Sequence, residues 1–262
     1  MFIVCNGTFK SGSSWLHAIV VKTCKVKNIK LSSVPNYYNP DINSPTRVLE
    51  ENISSFLQNE DIVEKNYITK AHYFKRSTLN RSYTDSVKFI FIERDIKDAI
   101  VSHFYHFKRL KDKNINFATY FNSIGIFKAY EMYLFNKRCK QNFPHRFFFS
   151  FEGLKLDFSN SLNRLCKLLC VTELTNDEIL SIKESTSFSK MKNIANEGYR
   201  TYYPAMGRDS HKLFRKGNIG DWQEYFSDKQ LKRINTVIEG ETTFFIKFGY
   251  FVFFTLRRRI GI

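Results

Sequence analysis

The stretch FIVCNGTFKSGSSWL, residues 2–16, decides how the chain is read. Phe2 to Asn6 form a run of β-branched and aromatic residues, the pattern of a buried strand over 2–6. Gly7 to Gly12 follow as a glycine-bounded loop. Trp15, Leu16, Ile19, Val20 and Thr23 then recur along one side, which predicts a helix over 14–25. A strand, a glycine loop and a helix together aim backbone N–H groups and the positive end of the helix at one anion. The ATP-type loop reads G-x-x-x-x-G-K-[ST], with lysine directly after the second glycine. Here Ser13 stands there, and the lysine is Lys10, two residues before Gly12. Ser11, Ser13 and Ser14 add hydroxyl donors. No second acidic motif stands out to hold Mg²⁺, so a phosphate or sulfate read without a metal fits the loop better than ATP with magnesium. An unliganded glycine turn is the plainer alternative.

The 262 residues suit a single domain over 1–262, and 43% hydrophobic residues suffice for a sizeable core. The 27 Phe and 14 Tyr do not by count alone make a stacking platform. A net charge of +16 favours anionic partners: nucleic acid, anionic membrane, acidic glycan or a polyphosphorylated cofactor. No nucleic-acid fold motif accompanies the charge, so nucleic acid is not expected as a partner. The five cysteines are odd in number and form no C-x-x-C pair. Cys166 and Cys170 lie one turn apart on an apolar helix face, and buried thiols in a reducing, cytoplasmic compartment are expected. The six histidines supply no matching pairs for a zinc site, and no metal is expected. No signal-peptide pattern precedes the first strand. The apolar and basic end, 243–262, is too short and too interrupted by Lys247 to read as a bilayer span. It reads as a core strand or buried helix in preference to an interfacial anchor, although Arg257, Arg258 and Arg259 would suit peripheral contact with an anionic membrane.

Further strands are expected at Tyr67–Thr69, at 87–95 and at 146–154, with helices beginning near Ile96 and near Ser159. Strands alternating with helices predict an α/β fold with a doubly wound, mostly parallel sheet flanked by helices. Ligands in such folds bind at the carboxyl ends of the strands. Lys10–Trp15, then Lys70 and His72, then Arg94 all fall there. The stretch 193–221 has no periodicity and reads as a long loop, with 193–214 a candidate lid over an acceptor.

Three more segments carry chemistry. In ERDIKDAIVSHFYHF, 93–107, Arg94 ends a strand and Ser102 lies two helical turns on; both can reach one phosphate, unless Arg94 merely pairs with Asp95 or Asp98. In FRKGNIGDWQEYF, 214–226, Arg215 and Lys216 precede Gly217, and Asp221 reads as a helix N-cap. In ITKAHYF, 68–74, His72 is either a general base suited to neutral pH or a structural hydrogen-bonder.

Together these segments resemble the sulfotransferases that use 3′-phosphoadenosine 5′-phosphosulfate. FKSGSSWL resembles the family's PKSGTTWL, RDIKDAIVSHFYHF its RNPKDVAVSYYHF, RKGNIGDW its RKGxxGDW, and KAH its K-[ST]-H. The resemblance runs in order from residue 2 to about 226. It implies a phosphosulfate donor held by Lys10, Ser11, Gly12, Ser13 and Ser14, with Trp15, Thr186 and Phe188 near the adenine and Phe151 at the position of a family tyrosine that contacts the adenosine. It implies a 3′-phosphate bound by Arg94, Ser102, Arg215, Lys216 and Gly217. His72 would be the base, with Lys10, Lys70 and Ser102 assisting catalysis. The acceptor would be a hydroxyl or amine of a small molecule, carbohydrate or lipid. Departures stand at S-F-E-G, where Phe151 and Gly153 replace a tyrosine and an acid, and at Ala71, where a hydroxyl residue is usual. They keep a silent adenosine bisphosphate binder open as the alternative; a nucleotide kinase is disfavoured by the missing lysine after Gly12.

Overall fold

The computed structural model describes residues 1–38, 47–59, 64–79, 87–110, 114–193 and 216–260. Arg215 and residues 194–214 of the expected lid lie outside them. In chain order the main elements are β1 (Phe2–Gly7), α1 (Ser13–Val26), α2 (Ile53–Gln58), β2 (Tyr67–Ala71), β3 (Val87–Glu93), α3 (Ile96–Leu110), α4 (Ile126–Asn142), β4 (Phe148–Ser150), α5 (Phe151–Leu156), α6 (Phe158–Leu169), α7 (Asn176–Ser185), α8 (Asp228–Ile238) and α9 (Phe244–Ile260).

The chain divides into two compact units. Residues 1–93 and 142–217 form the first, and residues 94–141 and 218–262 the second. In the first unit the strands pair in the order β2-β1-β3-β4, and every pairing is parallel. From β1 the chain moves outward to β2, then returns past β1 to β3 and β4. The direction of winding therefore reverses between β1 and β3. Both sheet faces are covered, which is why the strands read as unbroken apolar runs. One face sends Ile3, Cys5, Ile68, Ile90 and Ile92 against Leu16 and Ile19 of α1 and Leu162 and Leu165 of α6. The other is aromatic: Phe2 packs on Phe56 of α2 at 4.7 Å between ring centroids, and Phe91 on Phe143 at 4.7 Å. Many of the phenylalanines thus serve the core.

The second unit has its own core, where Ile100 and Phe104 of α3 meet Phe121, Met132 of α4, Phe226, Ile234 of α8 and Ile246 of α9.

Four expectations need correction. The strand expected over 146–154 is only Phe148–Ser150, because the Ser150 hydroxyl accepts the Gly153 N–H at 2.9 Å and caps α5. The second strand runs through Ala71, which places Lys70 inside it. Cys170 is exposed: it ends α6 in a left-handed conformation (φ 58°), while Cys5, Cys24, Cys139 and Cys166 are buried. The C-terminal segment is a helix, but its phenylalanines are largely solvent-facing. Among the described residues no helix is long and apolar enough to cross a membrane.

Candidate active site

The first unit carries most of the expected residues at the carboxyl end of β1. The loop from Thr8 to Gly12 turns tightly because two of its residues are left-handed, Lys10 at φ 66° and Gly12 at φ 98°. Both glycines are required by space. A Cβ on Gly12 would stand 2.8 Å from the Phe151 ring, and one on Gly7 would stand 2.8 Å from Ile92. Phe151 thus supports the loop from below by packing. Ser11 is buried, and its backbone N–H and its hydroxyl both donate to the Thr8 carbonyl, at 3.3 and 2.8 Å. Its side chain shapes the loop from within.

α1 begins at Ser13 with no side-chain cap and no acid in its first turn. The first N–H groups of a helix have no partner inside it. Here they open where the loop ends, so helix and loop together suit a negative ligand. Ser14 is exposed, and its hydroxyl accepts from the Lys70 ammonium at 3.3 Å, which leaves its own proton free to be donated.

His72 follows β2 directly. Asn6 fixes the position of this segment: its Nδ2 donates to the Tyr73 carbonyl at 3.2 Å, and its Oδ1 accepts the Tyr73 N–H at 2.9 Å. The Tyr73 hydroxyl donates to the Val48 carbonyl at 2.7 Å. His72 stacks on Phe9 at 4.6 Å, and its Nδ1 lies 2.6 Å from the Gly7 carbonyl oxygen. A carbonyl only accepts, so Nδ1 carries the proton and Nε2 keeps its lone pair.

Burial pushes the His72 pKa down to about 4; the Gly7 hydrogen bond opposes this, and the charges of Lys70, Arg47 and Lys10 add to it. Burial, then Arg47, also hold the Lys70 ammonium below its usual range. Three cations therefore act on one imidazole. Their mutual repulsion in a partly desolvated place costs free energy that a bound anion would offset. Arg47 is the residue that sequence reading missed. It follows a sequence run of Asn, Pro, Ser and Thr, with no motif to flag it.

The adenine-side candidates also lie in the first unit. The Trp15 indole N–H donates to the Thr186 carbonyl at 2.9 Å, and its ring lies between Phe151 and Phe158 at 5.4 and 6.4 Å. The Thr186 hydroxyl turns inward to the Ile182 carbonyl at 2.7 Å. Phe188 is exposed and lies against Gly217, where a Cβ would come within 3.0 Å of its ring; Gly217 has φ 65°. The Lys155 ammonium donates to the Gly217 carbonyl at 2.6 Å, and Lys216 is exposed beside it.

In the second unit Arg94 donates through Nη2 to the Asn218 carbonyl at 2.8 Å. Asp98 is buried and accepts the N–H groups of Gly220 and Trp222 at 2.8 and 3.1 Å. Lys97 sits over the Trp222 ring, 4.2 Å from its centroid. The expected N-cap at Asp221 is therefore displaced. Gly220, at φ 81°, precedes the helical turn Asp221–Glu224, and Asp98 supplies the acceptor. Ser102 lies half-buried on α3.

A family model described as the sulfotransferase domain matches residues 2–245. The chain belongs to the sulfotransferase family. Cytosolic sulfotransferase 6 of Arabidopsis thaliana is 22% identical over 251 residues, 88% of this chain and 75% of that protein. Flavonol 3-sulfotransferase of Flaveria bidentis is also 22% identical, over 88% of this chain and 78% of its own length. Among solved structures, mouse sulfotransferase SULT7A1, complexed with PAP, superposes with a TM-score of 0.64 at 23% identity, covering 90% of this chain and 81% of that one. The shared α/β fold places this sulfotransferase's glycine loop where the winding of its sheet reverses.

Proposed function

We propose that the chain transfers a sulfuryl group from 3′-phosphoadenosine 5′-phosphosulfate to a hydroxyl or amine of a small-molecule acceptor. The observation that carries this reading is His72, whose Nδ1 lies 2.6 Å from the carbonyl of Gly7, the residue that opens the anion loop, so that Nε2 is the nitrogen left to accept a proton. The donor supplies an activated sulfuryl group on a phosphate leaving group. A loop without room for a Cβ, a helix start without acid and three converging cations fit such an anion.

In this reading Lys10 and the N–H groups at the start of α1 hold the phosphate end of the donor. They meet the charge that grows there as the bridging S–O bond breaks. Nε2 of His72 takes the acceptor's proton while the acceptor oxygen or nitrogen bonds to sulfur. Lys70 holds Ser14 and keeps positive charge close to His72. Arg94 and Ser102 are assigned to the 3′-phosphate through their match to the family motif, as are Arg215, Lys216 and Gly217. Acceptor class is supported only by the relatives' names, a flavonol among them; carbohydrate and lipid acceptors belong in the same screen. Four buried thiols and the cytosolic naming of the Arabidopsis protein support a cytoplasmic setting.

The donor assignment is tested by titrating adenosine 3′,5′-bisphosphate and following the melting temperature. A ligand at a hundredfold over its Kd stabilises by about 2.7 kcal/mol. A rise of several degrees that Lys10→Ala reduces supports the reading, and no rise overturns it.

A further inference from the structure

α9 has two unlike faces. Toward the second unit's core it presents Ile246, which is buried, and Tyr250, which meets Tyr130 edge-on at 5.3 Å. Phe253 stacks on Phe127 at 6.0 Å, and Gly249 lies so close that a Cβ would come 2.6 Å from that same ring. On a helix of 3.6 residues per turn, positions 244, 245, 248, 251 and 252 fall on the opposite side. There Phe244, Phe245, Phe248, Phe251 and Val252 are 72, 82, 56, 67 and 37% exposed. A helix lying on a soluble core normally turns polar residues outward. A contiguous stripe of exposed phenylalanines marks a surface that meets something else.

Charge selects the occupant. From Phe244 to Ile262 the chain carries Lys247, Arg257, Arg258 and Arg259 and no acidic residue, within a chain of net charge +16. Docking this face on a second copy would bring two such basic segments together. An anionic bilayer takes both features at once, with aromatic rings in the interfacial layer and basic residues at the lipid phosphates. The helix is not long and apolar enough to span, so it would lie in the plane of the surface. We propose that α9 is an in-plane anchor that docks the protein on anionic membrane. The proposal stands independently of the donor and acceptor assignments.

The test uses the full chain and co-sedimentation with vesicles of phosphatidylcholine alone or mixed with phosphatidylserine. Binding is expected to the mixed vesicles, to weaken with salt and to be much weaker on phosphatidylcholine. The pair Phe245→Asp and Phe248→Asp should lower binding by roughly tenfold or more, since charge on the inserting face opposes burial. Replacing Arg257, Arg258 and Arg259 by glutamine should weaken binding to the mixed vesicles and reduce its salt dependence. Both variants should bind adenosine bisphosphate as the parent does, and the Phe245→Asp, Phe248→Asp pair should melt with the parent, because those two side chains lie on the exposed face. No binding to mixed vesicles, or variants that bind like the parent, overturns the proposal. So does a parent dimer in size exclusion that Phe245→Asp and Phe248→Asp split without any vesicle binding.

Discussion

The Nδ1 of His72 lies 2.6 Å from the carbonyl oxygen of Gly7, the residue that ends β1 and opens the anion loop. One backbone carbonyl thereby sets both the tautomer of the base and its distance from the loop. The same environment holds the imidazole neutral, with a pKa pushed down to about 4 by burial foremost. A base must be unprotonated to act, so protonation costs rate only below that value. The acid limb of kcat/KM reports the free enzyme. It should fall well below pH 6.5 and approach about 4. A limb at or above 6.5, measured in a pH-rate profile of kcat/KM with acceptor well below its KM, would mean His72 is not the base.

Stability should share this sign. His17 on α1 is also held down to about 4, by burial first and then by Lys70, and its Nε2 is buried. Both histidines have folded values below the unfolded value of 6.5. The unfolded chain therefore binds more protons between those values, and stability present above pH 6.5 is lost as pH falls toward 4. Each group contributes at most about 1.4 kcal/mol per pH unit across that window. Denaturant midpoints should drop through it, and His17→Leu should flatten the drop. A midpoint independent of pH there would contradict the burial of both rings.

Gly12→Ala should damage the loop twice over. At φ 98° an alanine is strained, and its Cβ would meet Phe151 at 2.8 Å. A loss of about 1–3 kcal/mol is expected from the strain, together with loss of the melting shift on adenosine bisphosphate. Phe151→Leu in the same chain should recover part of the stability by yielding space, and the strain should remain. Calorimetry of the single and double variants checks both parts.

Asp98→Ala should destabilise more than Asp98→Asn. The carboxylate accepts the N–H groups of Gly220 and Trp222 while itself buried. Alanine leaves two donors without acceptors, at about 1–3 kcal/mol each, whereas asparagine keeps one acceptor oxygen. Equal losses in urea denaturation would show that the turn does not depend on this residue.

The parts of the fold legible in sequence were those with a strong local period. FIVCN and VKFIFIE are buried on both faces and therefore unbroken, and the helix after the loop carries its apolar residues at helical spacing. Phe151 was misjudged as a strand residue because a run of phenylalanines reads as β until the Ser150 cap is seen. The C-terminal helix was misjudged for a related reason: apolarity implies burial unless a neighbour is missing, and sequence does not show neighbours. The positions of Lys10 and His72 were legible because both follow strand ends, whereas Lys70 lies inside β2 near its carboxyl end. Arg47 and Asp98 were not. Arg47 reaches the site from an irregular stretch, and Asp98 acts through hydrogen bonds to residues more than a hundred positions away. The glycines at 217 and 220, both at positive φ, were the sequence's hint that the chain turns tightly there, and a tight turn alone does not name its acceptor.

The central claim is sulfuryl transfer with His72 as base, and its most direct test is single-turnover transfer from donor labelled in the sulfuryl group to a panel of hydroxyl and amine acceptors. The account predicts labelled sulfate ester or sulfamate on at least one acceptor. It predicts that His72→Ala slows transfer by about 10²–10⁴ while adenosine bisphosphate binding is unchanged. Transfer at the parent rate by His72→Ala, or tight bisphosphate binding with no transfer to any acceptor, would contradict it.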